Sequence, residues 1–492
     1  PQFVVPANKS MNDDWLLLSD SAASRLIISS ALAGLQAPYK LKLDFAPAAM
    51  RADAMAKLLS LQMSDGGFQS YQSAKSSDPF ASAFALDALL FARAHGASVD
   101  ASAISRAASY AASLLANPGR NGYCGDALCK AQVRFEMLWA LAQNGDRRTD
   151  FLSDIVAQSK DFDSATQVRL ARYLIATSGW QSQGNAMADH LQQTLYVTGR
   201  YAVANETSSW GWLGSLVDAQ SQMLQLLLER HASSEIQDGA VRALVAQQCR
   251  CGWPTVDDTA SAMTALAAYA ATEHLGPASA GVAVGGKTVA SAQFGSTASS
   301  QTFNLPVSSL SGNAAVITSN GGTVHYTVLY TYNVPADAPG ELSAFRVVRT
   351  VTEPGPTSSP LATMDLPAVT PVTVGAAKVF DIGVRVIVDH PVDRLVIEDP
   401  LPAGFEAVDA SFRTTSTAVS AQADSWAIDS QTIYRDKVIA FAQHLGPGVY
   451  DVHYLVRSVT PGTFRWPGAK AYLQDAPEQF GRSASTTLTI TQ

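Results

Sequence analysis

Hydrophobic residues in the first half of the chain recur at helical spacing. The segment DPFASAFALDALLFARAHG (78–96) places an apolar residue about every 3.6 positions, at Phe80, Phe84, Leu86, Leu90 and Phe91. Gly96 follows where a helix would end. The same spacing recurs at 130–145, 218–231 and 258–272. Because no strand-like alternation interrupts these segments, the pattern predicts an all-α region over residues 13–275.

The hydrophobic pattern changes from Gly276 onward. Five segments are rich in β-branched and aromatic residues, mostly alternate in polarity, and end at Gly, Pro or Asn: 323–334, 344–354, 378–391, 449–459 and 485–492. Short strands at this spacing predict antiparallel β-sandwiches. The Pro/Gly/Ser-rich stretch 353–371 is typical of a long loop near a domain start. We therefore predict a small β-domain at 276–342 and a second β-domain at 343–492.

A Gly–aromatic pair recurs four times between the predicted helices, at Gly67-Phe68, Gly122-Tyr123, Gly211-Trp212 and Gly252-Trp253. Glycine permits a tight backbone turn, and the ring that follows it fills the gap between two helix ends. Repeated helical hairpins with such corners predict an α/α toroid, in which an inner ring of helices lies inside an outer ring. An irregular helical bundle is the alternative.

The composition narrows the classes to which the protein can belong. A chain of 492 residues exceeds the ~250–300 residues of a single core, so two to four domains are expected. The net charge is −8 and no run of Lys or Arg exists, which argues against nucleic-acid binding. No apolar run reaches the ~18 residues of a membrane span. The start, PQFVVPANKS, has no initiator Met and no signal-peptide pattern, so we expect a processed piece of a longer polypeptide.

The four cysteines form two close pairs, Cys124/Cys129 and Cys249/Cys251. Such pairs favour disulfides in an oxidising compartment, and four reduced buried thiols are the alternative. The connectivity stays open, because a Cys249–Cys251 ring would be small and strained while pairing between two corners is possible. Cys-x4-Cys and Cys-x-Cys are not usual zinc spacings, so no metal site is expected.

The sequence TVDDTASA (255–262) is similar to the acidic motif of class II terpene cyclases, where a carboxylic acid protonates an alkene. Here Thr255 replaces the first Asp, aromatic residues are only 8% of the chain, and β-domains follow, so a cyclase is a remote alternative. Asp257 or Asp258 is more simply explained as the cap of a helix that starts at Thr259.

Other catalytic signals are absent from the sequence. The eight histidines are scattered and include no His-Glu-x-x-His pair: His95, His190, His231, His274, His325, His390, His444 and His453. We predict no enzyme activity, no catalytic residue and no cofactor.

Several motifs together resemble bacterial alpha-2-macroglobulins. LLSLQMSDGGFQSY (58–71) is similar to a corner of that family's helical domain, and HYTVLYTYNVP (325–335) and ELSAFRVVRTV (341–351) resemble strands that follow it. VIEDPLPAGFEAVD (396–409) and residues 434–484 resemble the family's last macroglobulin domain.

The resemblance implies four parts. Residues 1–12 are a linker from an upstream macroglobulin or CUB-like domain, and 13–275 form a toroid like the family's thioester domain. Residues 276–342 are a small β-domain similar to part of a CUB or ninth macroglobulin domain. Residues 343–492 are the C-terminal, tenth macroglobulin domain, a β-sandwich.

In thioester-bearing members of the family, the toroid opens with Gly-Cys-x-Glu-Gln followed by Thr-x-Ser-Arg, and the Cys and Gln side chains join in the reactive bond. Aligning SAASR on Ser24 and Arg25 places that Cys at Leu18, the Glu at Asp20 and the Gln at Ser21. None of the four cysteines begins a Cys-x-Glu-Gln motif. The sequence therefore predicts no covalent capture. A serine nucleophile lacks a positioned base, and we expect Ser19, Asp20 and Ser21 to cap the first toroid helix.

The function implied by the resemblance is that of a periplasmic, defensive protease inhibitor. Its target proteases would cut an upstream bait region and be trapped by conformational change without a covalent bond. Inner-membrane association would come through an upstream segment or a partner. The alternative is a cell-envelope scaffold that binds other periplasmic or inner-membrane proteins through residues 15–25 or the terminal sandwich. Neither nucleic acid nor a small-molecule substrate is an expected partner.

Overall fold

A computed structural model of the chain describes residues 17–198, 200–205, 212, 214–248, 252–273, 276–297, 299–306, 308, 310, 314–326, 328, 329, 335, 338–354, 359–366, 371–408, 423–474 and 476–492. The chain divides into two compact units, Pro1–Thr327 and Val328–Gln492. The predicted linker 1–12 lies outside the described residues.

The described part of the first unit contains eleven α-helices. They are α1 (Ser19–Leu35), α2 (Pro47–Ser60), α3 (Pro79–Ala94), α4 (Ala101–Ala116), α5 (Ala127–Gln143), α6 (Leu152–Gln158), α7 (Ser164–Ile175), α8 (Gln181–Gln193), α9 (Leu216–Glu229), α10 (Ser234–Ala246) and α11 (Val256–Thr272). Four of them, α3, α5, α9 and α11, lie on the segments that periodicity predicts. None of the helices in the described ranges is both long and apolar enough to cross a membrane.

The odd-numbered helices form a closed inner ring. Each packs against the next odd-numbered helix along the chain, and α11 packs against α1, while each even-numbered helix lies outside against the inner helix that precedes it. The predicted α/α toroid is therefore confirmed. Burial follows this arrangement: 13 residues of α1 are buried and only three of α2. An inner helix needs a surface that is buried nearly all round, which Ala and Ser allow because they permit close packing.

Two of the Gly–aromatic corners pack as the sequence predicts, while Tyr123 of the Gly122-Tyr123 corner is 40% exposed. Phe68 is fully buried, and Gly67 leaves no room for a Cβ, which would meet Ser77 Cβ at 2.6 Å. Gly252 has a φ of 104°, and the buried indole of Trp253 donates to the Leu244 carbonyl at 3.0 Å. Gly211 lies outside the described residues.

Two β elements in the first unit differ from the sequence prediction. A hairpin of β1 (Tyr196–Thr198) and β2 (Tyr201–Val203) interrupts the region predicted as all-α. Strands of three residues are too short to show alternation, which explains the error. A second, antiparallel sheet has the order β4-β3-β5, from β3 (Ala278–Val284), β4 (Lys287–Phe294) and β5 (Ala315–Gly321). The segment 323–334 was predicted as a strand, but its described residues are not in one. An alternating polar and apolar pattern does not by itself provide a neighbouring strand for hydrogen bonding.

The second unit is built from two main sheets. They use β6 (Glu341–Leu342), β7 (Arg346–Thr352), β8 (Ala362–Met364), β10 (Val379–Val388), β11 (Val392–Pro400), β12 (Phe405–Val408), β13 (Ser430–Ile433), β14 (Lys437–Leu445), β15 (Gly448–Ser458), β17 (Lys470–Leu473) and β18 (Phe480–Arg482). The sheet orders are β12-β15-β10-β7-β8 and β13-β14-β11-β17-β18-β6, with antiparallel pairing throughout.

Apolar side chains of both main sheets share one core, among them Val384 and Val456 of the first sheet and Ile397 and Ala440 of the second. The predicted sandwich is therefore confirmed for this unit. A third sheet, β16-β19-β9, joins β9 (Val372–Gly375), β16 (Gly462–Trp466) and β19 (Thr486–Thr491), and its β9–β19 pair is parallel. The sheet β3–β5 belongs to the first unit, and the boundaries at 276 and 343 stay predictions.

Candidate functional site

The start of α1 is the place where the predicted register puts the thioester residues. Leu18 is the residue that precedes the helix, and it forms an isolated antiparallel bridge with Tyr71. The Ser19 backbone N–H donates to the Ser70 carbonyl at 3.0 Å, and Ser19 is 1% exposed. The segment that aligns with the thioester motif is thus bound to the end of the first Gly–aromatic corner.

The predicted polar cap of this helix is wrong. Leu18 occupies the cap position and supplies no side-chain hydrogen bond, because the helix begins at Ser19 and Asp20 and Ser21 lie inside its first turn. Asp20 Oδ1 accepts from the neighbouring Ser21 backbone N–H at 2.7 Å. Burial raises the pKa of Asp20, its hydrogen bond from Ser21 opposes that shift, and the negative charge of Asp78 adds to it.

Aromatic side chains from two further corners meet beside Asp78. The ring of Phe80, in the first turn of α3, lies 5.9 Å from that of Tyr123 and 5.7 Å from that of Trp212 between centroids. Burial and the carboxylate of Asp78, which accepts a hydrogen bond from Tyr123, raise the pKa of the Tyr123 hydroxyl well above its ordinary value. This end of the toroid therefore combines apolar rings with carboxylates.

One turn into α1, the Ser24 hydroxyl donates to Asp257 Oδ1 at 2.6 Å. Thr255, not an aspartate, caps α11: its Oγ1 accepts from the Asp258 backbone N–H at 3.0 Å, and Asp258 Oδ2 accepts from the Thr255 backbone N–H at 3.1 Å. The prediction that Asp257 or Asp258 caps a helix starting at Thr259 is therefore wrong by one turn. A reciprocal capping box leaves Asp257 free to contact Ser24.

The inner helices surround a cavity of about 320 Å³, which we call the axial cavity. Its charged lining residues are Asp87, Glu136, Arg169, Arg172, Asp218 and Asp257. Burial raises the pKa of Asp87 to about 6, against the opposing charge of Arg169. Burial also raises the pKa of Asp257 to about 6; Ser24 lowers it, and the carboxylates of Asp20, Asp258 and Asp218 raise it further.

Asp87, Glu136, Asp218 and the two arginines were not predicted from the sequence. The sequence signal that could have revealed them is a charged residue in a segment of a helix that is otherwise apolar. Asp87 lies in FALDALLF, on a helix in which 11 of 16 residues are buried. A carboxylate in such a run is rarely left without a role, since burying it costs free energy.

Replacing Asp257 with Asn will stabilise the first unit at pH 7.5, by about 1 kcal/mol, because a carboxyl whose native pKa is raised destabilises the fold while it is ionised. The folded state binds the proton more tightly than the unfolded state, so the advantage of Asn shrinks as the pH falls through 6 and vanishes near 4. Urea unfolding at several pH values measures this difference. An Asn variant that is less stable than the parent at pH 7.5 contradicts it.

The structure pairs Cys124 with Cys129 as a disulfide, with a Cα–Cα distance of 5.5 Å. The disulfide joins the loop after the Gly122-Tyr123 corner to the first turn of α5, whose cap, Asp126, accepts from the Cys129 backbone N–H at 2.8 Å. Cys249 and Cys251 lie outside the described residues. Within the described ranges, no three His, Cys, Asp or Glu side chains are grouped so that they could hold a metal ion.

Comparison with known proteins decides the family. Residues 345–478 match the family model of the bacterial alpha-2-macroglobulin MG10 domain. An alpha-2-macroglobulin homolog from Nostoc sp. is 39% identical over 497 aligned residues that include the whole of this chain. The chain belongs to the bacterial alpha-2-macroglobulin family. It spans 26% of the length of that relative.

A solved structure of a bacterial alpha-2-macroglobulin shares the fold. The trypsin-activated protein from Escherichia coli matches 96% of this chain and 32% of its own, with 17% identity and a TM-score of 0.56. The Escherichia coli protein activated by porcine elastase matches 96% of this chain and 41% of its own, with 18% identity and a TM-score of 0.45. The alignment that places the thioester residues at Leu18, Asp20 and Ser21 therefore compares this chain with its own family.

Proposed function

We propose that this chain is the C-terminal part of a periplasmic protease inhibitor that traps its targets by conformational change, without covalent capture. One observation carries the proposal: a chain of the alpha-2-macroglobulin family has Leu18 and Ser21 where the thioester side chains align. A thioester requires a thiol and a carboxamide, and neither residue supplies one. Because these side chains cannot form a thioester, the trapped protease would be held by enclosure.

The packing around Leu18 supports a structural role for this segment. Leu18 pairs with Tyr71 through the backbone, and Ser19 donates to Ser70, so the residues that align with the reactive motif join α1 to the first corner. Backbone bonds of this kind depend little on the side chain at position 18. A family member can therefore lose the thioester and keep the toroid.

The periplasmic location rests on the cysteine chemistry. A disulfide between Cys124 and Cys129 is favoured in an oxidising compartment and is rare in the cytosol. Target proteases would be the partners through the proposed upstream bait region. The proposal assigns the chain no catalytic activity of its own.

The test uses the full-length polypeptide that contains this chain, mixed with a broad-specificity protease. We expect hydrolysis of a large protein substrate to fall strongly while hydrolysis of a small peptide substrate is unchanged, because enclosure excludes only the large substrate. This chain alone is the matched control, and it should protect neither substrate because the proposed bait region lies upstream. Unchanged activity on both substrates with the full-length protein would favour the cell-envelope scaffold.

A second arm of the same experiment tests the covalent part of the proposal. Treatment of the full-length protein with methylamine should release no new thiol, and the trapped protease should separate from it in denaturing gels. Release of one thiol per chain, or a protease–inhibitor band that survives denaturation, would show that a thioester is present.

A further inference from the structure

The axial cavity has no part in the proposed inhibition, yet it has the properties of a ligand site. At about 320 Å³ it lies within the range of small-molecule sites, which is roughly 300–1,000 Å³. Its walls include Phe84, Phe91, Trp139 and Trp212. The lining residues His95, Gln143 and Ala268 are exposed, so the cavity opens to solvent at the carboxyl ends of α3 and α5.

Negative charge exceeds positive charge in this cavity. Four carboxylates and two guanidinium groups line it. Glu136 accepts two hydrogen bonds from Arg169, both at 2.7 Å, so the charges of this pair cancel. Arg172 donates to both carboxylate oxygens of Glu229, which lies outside the cavity lining, at 2.7 and 3.0 Å. Both arginines thus have carboxylate partners, which leaves Asp87, Asp218 and Asp257 in excess.

The excess is greatest at the amino ends of α9 and α11, where Asp218 and Asp257 lie in the first turns. The hydrogen bonds to these carboxylates come from neutral groups: Ser24 to Asp257, and Ser261 and Gln222 to Asp218 at 3.0 and 3.3 Å. Neutral donors satisfy the oxygens but do not cancel the charge. In a partly enclosed site the repulsion between the two carboxylates is stronger than in water.

We propose that the axial cavity binds a small organic amine. Its ammonium group lies at Asp218 and Asp257, and its carbon chain lies against the aromatic walls. Aromatic faces attract organic cations. A metal ion fits less well, because no three ligating side chains of the described structure are grouped to hold one. This inference does not rest on protease inhibition.

The test is isothermal titration calorimetry on the 492-residue chain with two compounds of similar length. The first is pentylamine, and the second is pentanol, which carries no charge. We expect pentylamine to bind and pentanol to show no binding. Equal binding of the two compounds overturns the role of charge, and no binding of pentylamine overturns the site.

Variants locate the bound compound. Asp218→Asn and Asp257→Asn should each weaken binding of pentylamine by about tenfold or more. Thr264→Phe, which fills the cavity from α11, should abolish binding. The matched control is Asp53→Asn on the outer helix α2, whose side chain is 54% exposed, and it should bind like the parent. Because Asp257→Asn is expected to stabilise the fold, loss of binding in that variant cannot reflect unfolding; unchanged binding in all three cavity variants overturns the site.

Discussion

Replacing Arg349 with Met will lower the free energy of unfolding of the second unit by about 3–5 kcal/mol, because the change leaves a buried carboxylate without its counter-charge. Arg349 is 0% exposed and donates through Nε to Asp399 Oδ2 at 3.1 Å, while its Nη2 bonds both Asp399 Oδ1 and the Pro467 carbonyl. Asp399 is 2% exposed. Its Oδ2 also accepts from the Tyr454 hydroxyl at 2.8 Å.

The geometry explains why the effect is large. Arg349 on β7 belongs to the five-stranded sheet and Asp399 on β11 to the six-stranded sheet, so the ion pair crosses the core between them. The guanidinium also lies 4.5 Å from the ring centroid of Trp466. Urea unfolding followed by hydrogen exchange of peptides from β7 and β11 measures this unit by itself.

A matched control lies three residues away on the same strand. Arg346 pairs with Asp365, but its side chain is 49% exposed, so Arg346→Met should cost less than about 1 kcal/mol. The double variant Arg349→Met, Asp399→Leu should be more stable than Arg349→Met alone, since it removes the unpaired charge. Equal losses for the two single arginine variants would show that the buried pair contributes no more than a surface pair.

Replacing Gly66 with Ala will destabilise the first unit by about 3 kcal/mol, through positive-φ strain and overpacking together. Gly66 has a φ of 93°, and an added Cβ would lie 2.3 Å from the Arg106 carbonyl oxygen of α4. Gln62 fixes the same contact by donating to the carbonyls of Gly66 at 3.1 Å and Ala103 at 2.9 Å. The first corner therefore cannot move away from α4 without losing these bonds.

Gly96 separates the two contributions. Its φ of 81° is similar, but nothing lies within 4 Å of an added Cβ. Gly96→Ala should therefore cost only the strain, about 1 kcal/mol. Thermal unfolding followed by hydrogen exchange of α2 and α4 peptides compares the two variants. Equal destabilisation by the two substitutions would show that the close approach of the corner to α4 does not affect the free energy of unfolding.

Much of the toroid could be predicted from local sequence. Helical spacing located α3, α5, α9 and α11 because side chains three and four positions apart share a helix face. The Gly–aromatic pairs predicted the corners because backbone strain and ring size are properties of the residues themselves. The three-residue strands β1 and β2 were missed because they are shorter than any readable period.

The candidate site was predictable only in part. The motif register placed Leu18, Asp20 and Ser21 at the start of the first toroid helix, and the structure places them there. The predicted cap was wrong because the residue at the cap position depends on where α1 begins. Leu18, which pairs with Tyr71, is the residue that precedes the helix. Asp257 was assigned to a cap because a local pattern cannot reveal a partner 233 residues away.

The sequence by itself determined that the chain has no Cys-x-Glu-Gln motif and that helices precede strands, since both are read from neighbouring residues. Only the tertiary structure decided that α11 closes against α1, that Ser24 meets Asp257, and that an excess of carboxylates surrounds one cavity. The reason is ring closure: the inner helices are separated along the chain by outer helices and corners, so their inward-facing charges meet only when the toroid is complete.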